Sequence, residues 1–331
     1  MDRELIIKTP SKIILLGEHA VVDGYGAISM AIDLKTTGKI SFNNGGSNDN
    51  IKDKIIIKLT NLNKNIVINI KDIPYISIND YENDLKYIVC SLKNTLNHLI
   101  KRNLINLDNI KSFELEISSD IPVSCGLGSS ASVIITTIKS FLIANDINLS
   151  NGEISKIAYS VEKEVQGRAS ITDTATITYG GILKIKDNKI ESIKNRKLFD
   201  ILKSCDFLII NTEHRKRKTA ELVNDVAKHP KKDELFKSIG NIVDNLESIN
   251  SKEELGKLMI QNHELLKKLG VSTEKLDKVV EIGKKYAHGA KLSGAGGGGV
   301  AIVLIDKVKK EILLKKLEEL GVLGIFECKM A

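Results

Sequence analysis

The segment Ile121–Ala131, IPVSCGLGSSA, restricts the fold more than any other part of the chain because of what flanks it. Before it, Phe113, Leu115 and Ile117 alternate with Glu114 and Glu116 as a half-buried strand does; after it, Ser132–Ala144 is apolar enough for a buried helix. A strand that turns through glycines into a helix brings the helix's unpaired N–H groups back onto the turn. Gly126 and Gly128 permit positive φ and close backbone approach, and Ser129 and Ser130 open the helix, a geometry that binds phosphate. A tight turn with a serine cap would use the same letters. The string is neither a Walker A loop, whose lysine it lacks, nor a Rossmann GxGxxG after a first βα turn, so a different nucleotide fold is required. A second loop, Gly294 to Gly299 with Ala295 among the glycines, stands between strand patterns at Ala290–Leu292 and Val300–Ile305. So dense a cluster loses more backbone entropy on folding than a hairpin demands, which implies that something approaches that backbone.

Elsewhere strands and helices follow in runs. Ile6–Leu16 reads as a strand bent at Pro10 and Ser11; Ala27–Ile32, Lys39–Phe42 and Lys54–Leu59 read as further strands, with NNGGSNDN (43–50) as an exposed hairpin loop. Leu85, Ile88, Val89, Leu92, Leu96 and Leu99 recur at helical spacing, and Ile154, Ile157, Ala158, Val161 and Val165 mark a helix ended by Gly167. After a strand at Gly181–Ile185, the polar stretch Lys186–Arg196 is the expected boundary between an N-terminal domain, 1–185, and a C-terminal domain, 186–331. A strand at Phe207–Asn211, helices over Ala220–Tyr286, a helix to about Leu320 and a strand near Phe326 complete the chain. This order fits an α+β protein better than a doubly wound sheet.

The 331 residues, 42% of them apolar, can bury a sizeable core. No apolar run nears the roughly 20 residues that span a bilayer, and MDREL lacks the basic-then-apolar order of a secretory signal, so a cytoplasmic protein with no membrane partner is expected. Cys90, Cys125, Cys205 and Cys328 form no CxxC pair, which argues against zinc and against a disulfide framework. A net charge of +7 admits anionic partners, but the lysines are spread out and not interleaved with aromatics; a phosphate-binding enzyme accounts for the charge without nucleic acid.

Several polar positions can supply chemistry. Lys12 lies in the first strand, and Glu18 and His19 follow Gly17 at its end, where side chains often line a cleft; a solvated lysine and a hydrogen-bonded turn histidine are the plain alternative. Glu162 and Glu164 each sit roughly 80° from the centre of their helix's apolar face, so geometry does not choose between them as oxygen ligands for Mg²⁺. Asp173 follows QGRASIT and either caps a helix or accepts a proton from a substrate hydroxyl, as phosphoryl transfer requires. Arg215-Lys216-Arg217-Lys218 is the densest basic run, either solvated surface or a seat for a carboxylate or phosphate.

In order along the chain, TPSKIILLGEHAVVDGYGAI (9–28), IPVSCGLGSSA and KLSGAGGGGVAIVL (291–304) resemble the three motifs of the GHMP kinases, which phosphorylate galactose, homoserine, mevalonate and phosphomevalonate. GEHAVV is similar to the signature of the mevalonate branch, where galactokinases usually carry GEHTDY. ASITD and TPSK, in place of PSGVD and APGK, look like archaeal members. The resemblance implies an N-terminal domain like the second domain of ribosomal protein S5, a C-terminal ferredoxin-like domain, ATP as co-substrate, Mg²⁺ as cofactor, and mevalonate phosphorylated on its primary hydroxyl for isoprenoid biosynthesis. Carried over by position, it gives Asp173 the hydroxyl proton and has Lys12 polarise that hydroxyl. Pro122, Ser124, Gly126, Leu127, Gly128, Ser129, Ser130 and Ala131 would bind ATP, with Gly294, Gly296, Gly297 and Gly298 supporting the phosphates. Glu18, His19, Arg217 and Thr219 would lie at the substrate, and Ser130 and Glu162, rather than Glu164, would hold Mg²⁺. A homodimer is left open.

Overall fold

The first strand, β1 (Glu4–Leu16), runs without a break through Pro10 and Ser11, and β2 (Ala27–Ser41) joins two expected strands into one. This computed structural model describes residues 4–42, 52–121, 125–167, 169–215 and 217–331; the loop expected at 43–50 and the ATP-site candidates Pro122 and Ser124 lie outside them. Contacts divide the chain into two units, one of Met1–Ser11, Leu34–Pro122 and Gly128–Tyr179, the other of Lys12–Asp33, Val123–Leu127 and Gly180–Ala331. The division therefore differs from a single boundary after residue 185, because β1 and β2 each pass from one unit into the other.

In the first unit β3 (Lys54–Leu59) and β4 (Lys64–Asn69) form an antiparallel hairpin. After α1 (Asn83–Lys101), β5 (Phe113–Ser119) pairs parallel with β3 and antiparallel with the C-terminal half of β2, Thr36 facing Ser119. β3 and β5 each bury alternate residues, so Ile55, Ile57, Phe113 and Leu115 share a core with α1, α2 (Ser129–Ala144) and α3 (Asn151–Gln166). Next comes α4 (Ile171–Tyr179), packed on α2 and α3. Two hydroxyls fix α2 to β1: Thr136 donates to Thr9 Oγ1 at 2.8 Å and Ser132 to Pro10 O at 3.1 Å. A capping box at Ser150 and Glu153 starts α3, stabilising it by about 1 kcal/mol, and Gly167 in the left-handed region ends it.

In the second unit the N-terminal part of β2 pairs with β6 (Ile182–Lys186), and β6 with β7 (Lys189–Ser192). Asp187 and Asn188 between them both have positive φ, the requirement of a type I′ hairpin turn. The stretch Lys186–Arg196 is thus a hairpin and not a plain connection. The chain continues through α5 (Arg196–Lys203), β8 (Phe207–Glu213), α6 (Thr219–Ala227), α7 (Lys232–Asn245), α8 (Lys252–Lys268) and α9 (Glu274–Tyr286). It closes with β9 (Gly289–Ser293), β10 (Gly299–Leu304), α10 (Lys310–Glu319) and β11 (Gly324–Cys328). The antiparallel sheet order β11-β8-β10-β9 is 4-1-3-2 in chain order, with helices between the first and second strands and between the third and fourth, the ferredoxin-like arrangement. Every residue of β9 and β10 is buried, and α8 and α9 approach β9 so closely that Gly256 and Gly283 leave no room for a side chain. All four cysteines are free and buried. No helix among the described residues is long and apolar enough to cross a membrane.

Candidate active site

Gly126 and Gly128 both have positive φ, and Gly128 is the N-cap of α2, its carbonyl accepting from Ser132 N at 2.9 Å. The first turn of α2 holds Ser129, Ser130 and Ala131 and no acidic residue, so the positive end of the helix dipole is left for an external anion. Ser130 Oγ donates to Glu162 Oε1 at 3.2 Å, and Glu162 is buried. Glu164, on the opposite edge of the same apolar face, instead meets Lys93 at 3.3 Å and Asn94 Nδ2 at 3.1 Å on α1. The structure thereby separates two carboxylates that periodicity could not. Asp173 lies in the first turn of α4, half-buried, and does not cap it, since the helix begins two residues earlier; its N–H donates to Ser170 O at 3.2 Å. Ser130, Glu162 and Asp173 belong to one unit.

In the second unit, Gly294, Gly296, Gly297, Gly298 and Gly299 all have positive φ, a run of left-handed backbone that only glycine sustains without strain. Arg215, two residues past β8, lies against this loop and against Gly126. A Cβ on Gly126 would stand 3.0 Å from its Nη2, and one on Gly299 would stand 2.8 Å from its Nε. Nε and Nη2 are buried and have no hydrogen-bond partner among the described residues. Burial presses the guanidinium pKa down, yet arginine stays a cation at neutral pH. A half-buried cation with two buried, unmet donors is costly, and its place beside two glycine loops suits it to an anion. Arg217, expected at the substrate, is exposed and pairs with Asp225 of α6, while Thr219 opens that helix half-exposed. Among the described residues of the basic run the cation that enters the loops is Arg215, and the pairing that puts it there, Glu213 opposite Gly299, is invisible before β8 and β10 are aligned.

Lys12 is buried, and its backbone N–H donates to Leu127 O at 3.0 Å, fastening β1 to the glycine loop. Glu18 is 1% exposed with both carboxylate oxygens engaged by protein, Oε1 by Lys291 and Oε2 by Asn262 Nδ2 at 3.0 Å. His19 Nε2 donates to Ala295 O at 3.0 Å; burial lowers its pKa, with the carbonyl and Glu18 opposing. Neither Asn262 nor Lys291 was among the candidates: nothing in the periodicity of α8 or in the letters KLSG marks a polar side chain as the partner of a turn some 250 residues away.

Beside Asn262, His263 is buried, with Nδ1 accepting from Leu292 N at 3.3 Å and Nε2 donating to Asp277 Oδ1 at 3.1 Å, so the neutral ring is the one the core accepts. Burial lowers its pKa from 6.5, although Asp277 pulls the other way. As pH falls through that ordinary value, the unfolded chain takes up a proton that the native state refuses. The stability contribution is therefore present above about pH 6.5 and lost below it. The thermal midpoint is expected to drop between about pH 7.5 and pH 5.5, and His263→Gln to flatten the drop; an identical slope in the variant would remove His263 from the account.

The sequence matches the GHMP kinases N terminal domain over residues 86–181 and the GHMP kinases C terminal domain over residues 242–323. It is 51% identical to a mevalonate kinase of Methanocaldococcus jannaschii over 98% of this chain and 99% of that protein. Identity to a mevalonate kinase of Pyrococcus abyssi is 34%, over 94% of this chain and 92% of the other. The crystal structure of the Methanococcus jannaschii mevalonate kinase matches with a TM-score of 0.91, covering 99% of each chain.

Proposed function

The chain belongs to the GHMP kinases, and we propose that it transfers the γ-phosphate of ATP to the primary hydroxyl of (R)-mevalonate, giving 5-phosphomevalonate for isoprenoid biosynthesis. The observation that carries the substrate is the 51% identity to a mevalonate kinase along nearly the whole of both chains. The geometry supports the chemistry. The Gly126–Ala131 loop offers backbone N–H groups and an uncompensated helix N-terminus to the ATP phosphates, and Arg215 offers a fork of donors to an anionic oxygen.

Ser130 and Glu162 are hard oxygen donors 3.2 Å apart, which fits Mg²⁺, a cation that takes few protein ligands and fills its remaining positions from phosphate and water. No group of three or more His, Cys, Asp or Glu residues arranged for a metal exists among the described residues, which accords with so sparse a set. When bound, the ion would offset phosphate charge. Asp173 accepts the proton of the mevalonate hydroxyl as its oxygen attacks the γ-phosphorus; the new P–O bond forms, the bond to the β,γ-bridging oxygen breaks, and ADP departs. Lys12 polarises that hydroxyl, and Arg215 stabilises charge on the phosphates.

The test is ATP consumption by purified protein with Mg²⁺ and mevalonate, with phosphomevalonate, galactose and homoserine as parallel acceptors. Turnover confined to mevalonate is expected; turnover on another acceptor overturns the substrate, and none with any acceptor overturns the kinase. Glu162→Gln is further expected to raise the Mg²⁺ concentration for half-maximal turnover by about 10–100-fold, with Glu164→Gln close to wild type. Equal effects in the two variants would contradict the choice of Glu162.

A further inference from the structure

We propose that Lys291 and Asn262 are positioning residues that act through Glu18 and His19 to hold the Gly294–Gly299 loop in its phosphate-supporting shape, an inference that rests on the kinase reading above. Lys291 stands in the middle of β9, a strand buried at every residue, and is itself fully buried. Its ammonium donates to Glu18 and to Leu292 O, the latter at 2.6 Å. Asn262 donates to the other oxygen of Glu18 and accepts Gly17 N–H at 3.2 Å. A buried ion pair gains little net stability, because the loss of hydration offsets the attraction, and an aliphatic side chain would fill this place at least as well. What the pair supplies is a fixed geometry.

The turn it grips is strained, although its own backbone bonds, such as Ala20 N to Glu18 O at 2.8 Å, help to close it. Gly17 has φ +98°, and a Cβ there would lie 2.5 Å from Ala27 Cα. His19 has φ +62°, a conformation that strains a residue with a side chain. The strained turn aims the His19 N–H at Ala295 O, the carbonyl between Gly294 and Gly296. Glycine backbone has no side chains to pin it, so the loop depends on bonds to its backbone: besides the one at Ala295 O, Gly297 N donates to Val271 O at 2.8 Å and Thr212 Oγ1 donates to Gly299 O at 2.8 Å. Force therefore passes from β9 and α8 through Glu18 and His19 to the loop that lies against Arg215. Both oxygens of Glu18 are occupied in this chain of contacts, so its part is to position the loop and not to bind mevalonate.

The test compares wild type with Glu18→Met/Lys291→Met, which removes both buried charges together and keeps side-chain volume, and with His19→Ala, which cuts the last link and leaves the pair intact. The readouts are affinity for a non-hydrolysable ATP analogue, which needs no acceptor, the KM and kcat with mevalonate, and the thermal midpoint. Both variants are expected to lose about 10-fold or more in analogue affinity and in kcat, with the KM for mevalonate nearly unchanged and His19→Ala, its midpoint somewhat lowered, still fully folded at the assay temperature. Wild-type analogue affinity in His19→Ala would overturn the proposal even if the double variant failed to fold. A rise confined to the KM for mevalonate would overturn it in favour of Glu18 as a substrate ligand. Absence of turnover in wild type would instead overturn the kinase reading, and analogue affinity would still decide the positioning.

Discussion

Asp173→Asn is expected to lower kcat by about 10²–10⁴-fold, the range a positioned general base contributes, while affinity for ATP stays at the wild-type value. Asparagine matches aspartate in size and keeps its place in the first turn of α4, where the flanking Thr172 and Thr174 are buried and the backbone N–H is held by Ser170 O. What it cannot do is take a proton from an alcohol at neutral pH. The loss should therefore fall on the chemical step. A single-turnover measurement with saturating ATP and mevalonate is expected to show the full decrease, and the thermal midpoint none. A variant that kept its single-turnover rate would take the proton-accepting role from Asp173, and one that lost rate, ATP affinity and stability together would mark the residue as part of the packing of α4 on α2 and α3.

How far the letters lead is clearest at the two glutamates. Glu162 and Glu164 straddle the apolar stripe of α3, and nothing in one helix says which neighbour each will meet. The resemblance to the GHMP kinases picked Glu162 by its distance from Gly167 and Asp173; in the structure Glu162 meets Ser130, whereas Glu164 meets Lys93 and Asn94. The strand, glycine loop and buried helix at 113–144 were legible because their signals are local: alternation, glycine, then an unbroken apolar run. The strand β4 (Lys64–Asn69) was not, since its asparagines carry poor strand propensity and only pairing with β3 defines it. The β6–β7 hairpin was read as a linker because its stretch is polar; the signal was Asp187-Asn188, whose side chains tolerate the positive φ of a tight turn. Glu18 shows the opposite limit. Its letters carried a ligand assignment, but its partners come from residues 262 and 291, which no local pattern connects to it.

Arg215→Met is expected to lower kcat/KM by about 10²–10³-fold and, unlike most active-site losses, to leave the unliganded protein at least as stable as wild type. The argument runs through the unmet donors. Each buried polar group without a partner costs roughly 1–3 kcal/mol, and Nε and Nη2 of Arg215 find none among the described residues. Methionine fills much of the same volume without them, so the thermal midpoint without nucleotide should stay level or rise. The gain on adding ATP should shrink, because the anion no longer finds the cation that awaited it. Arg215→Lys is expected to recover little, since a single ammonium on a flexible stem does not reproduce a planar fork held against Gly126 and Gly299. Arg217→Met is the control: it removes an exposed pair with Asp225, and both turnover and midpoint should remain close to wild type. Kinetics and thermal melts of the three variants, each with and without ATP, separate the possibilities. Activity lost with stability retained fits a cation held ready for phosphate. A fall in both for Arg215→Met would make the residue structural, and damage from Arg217→Met alone would return the substrate cation to the position that counting along the motif assigned.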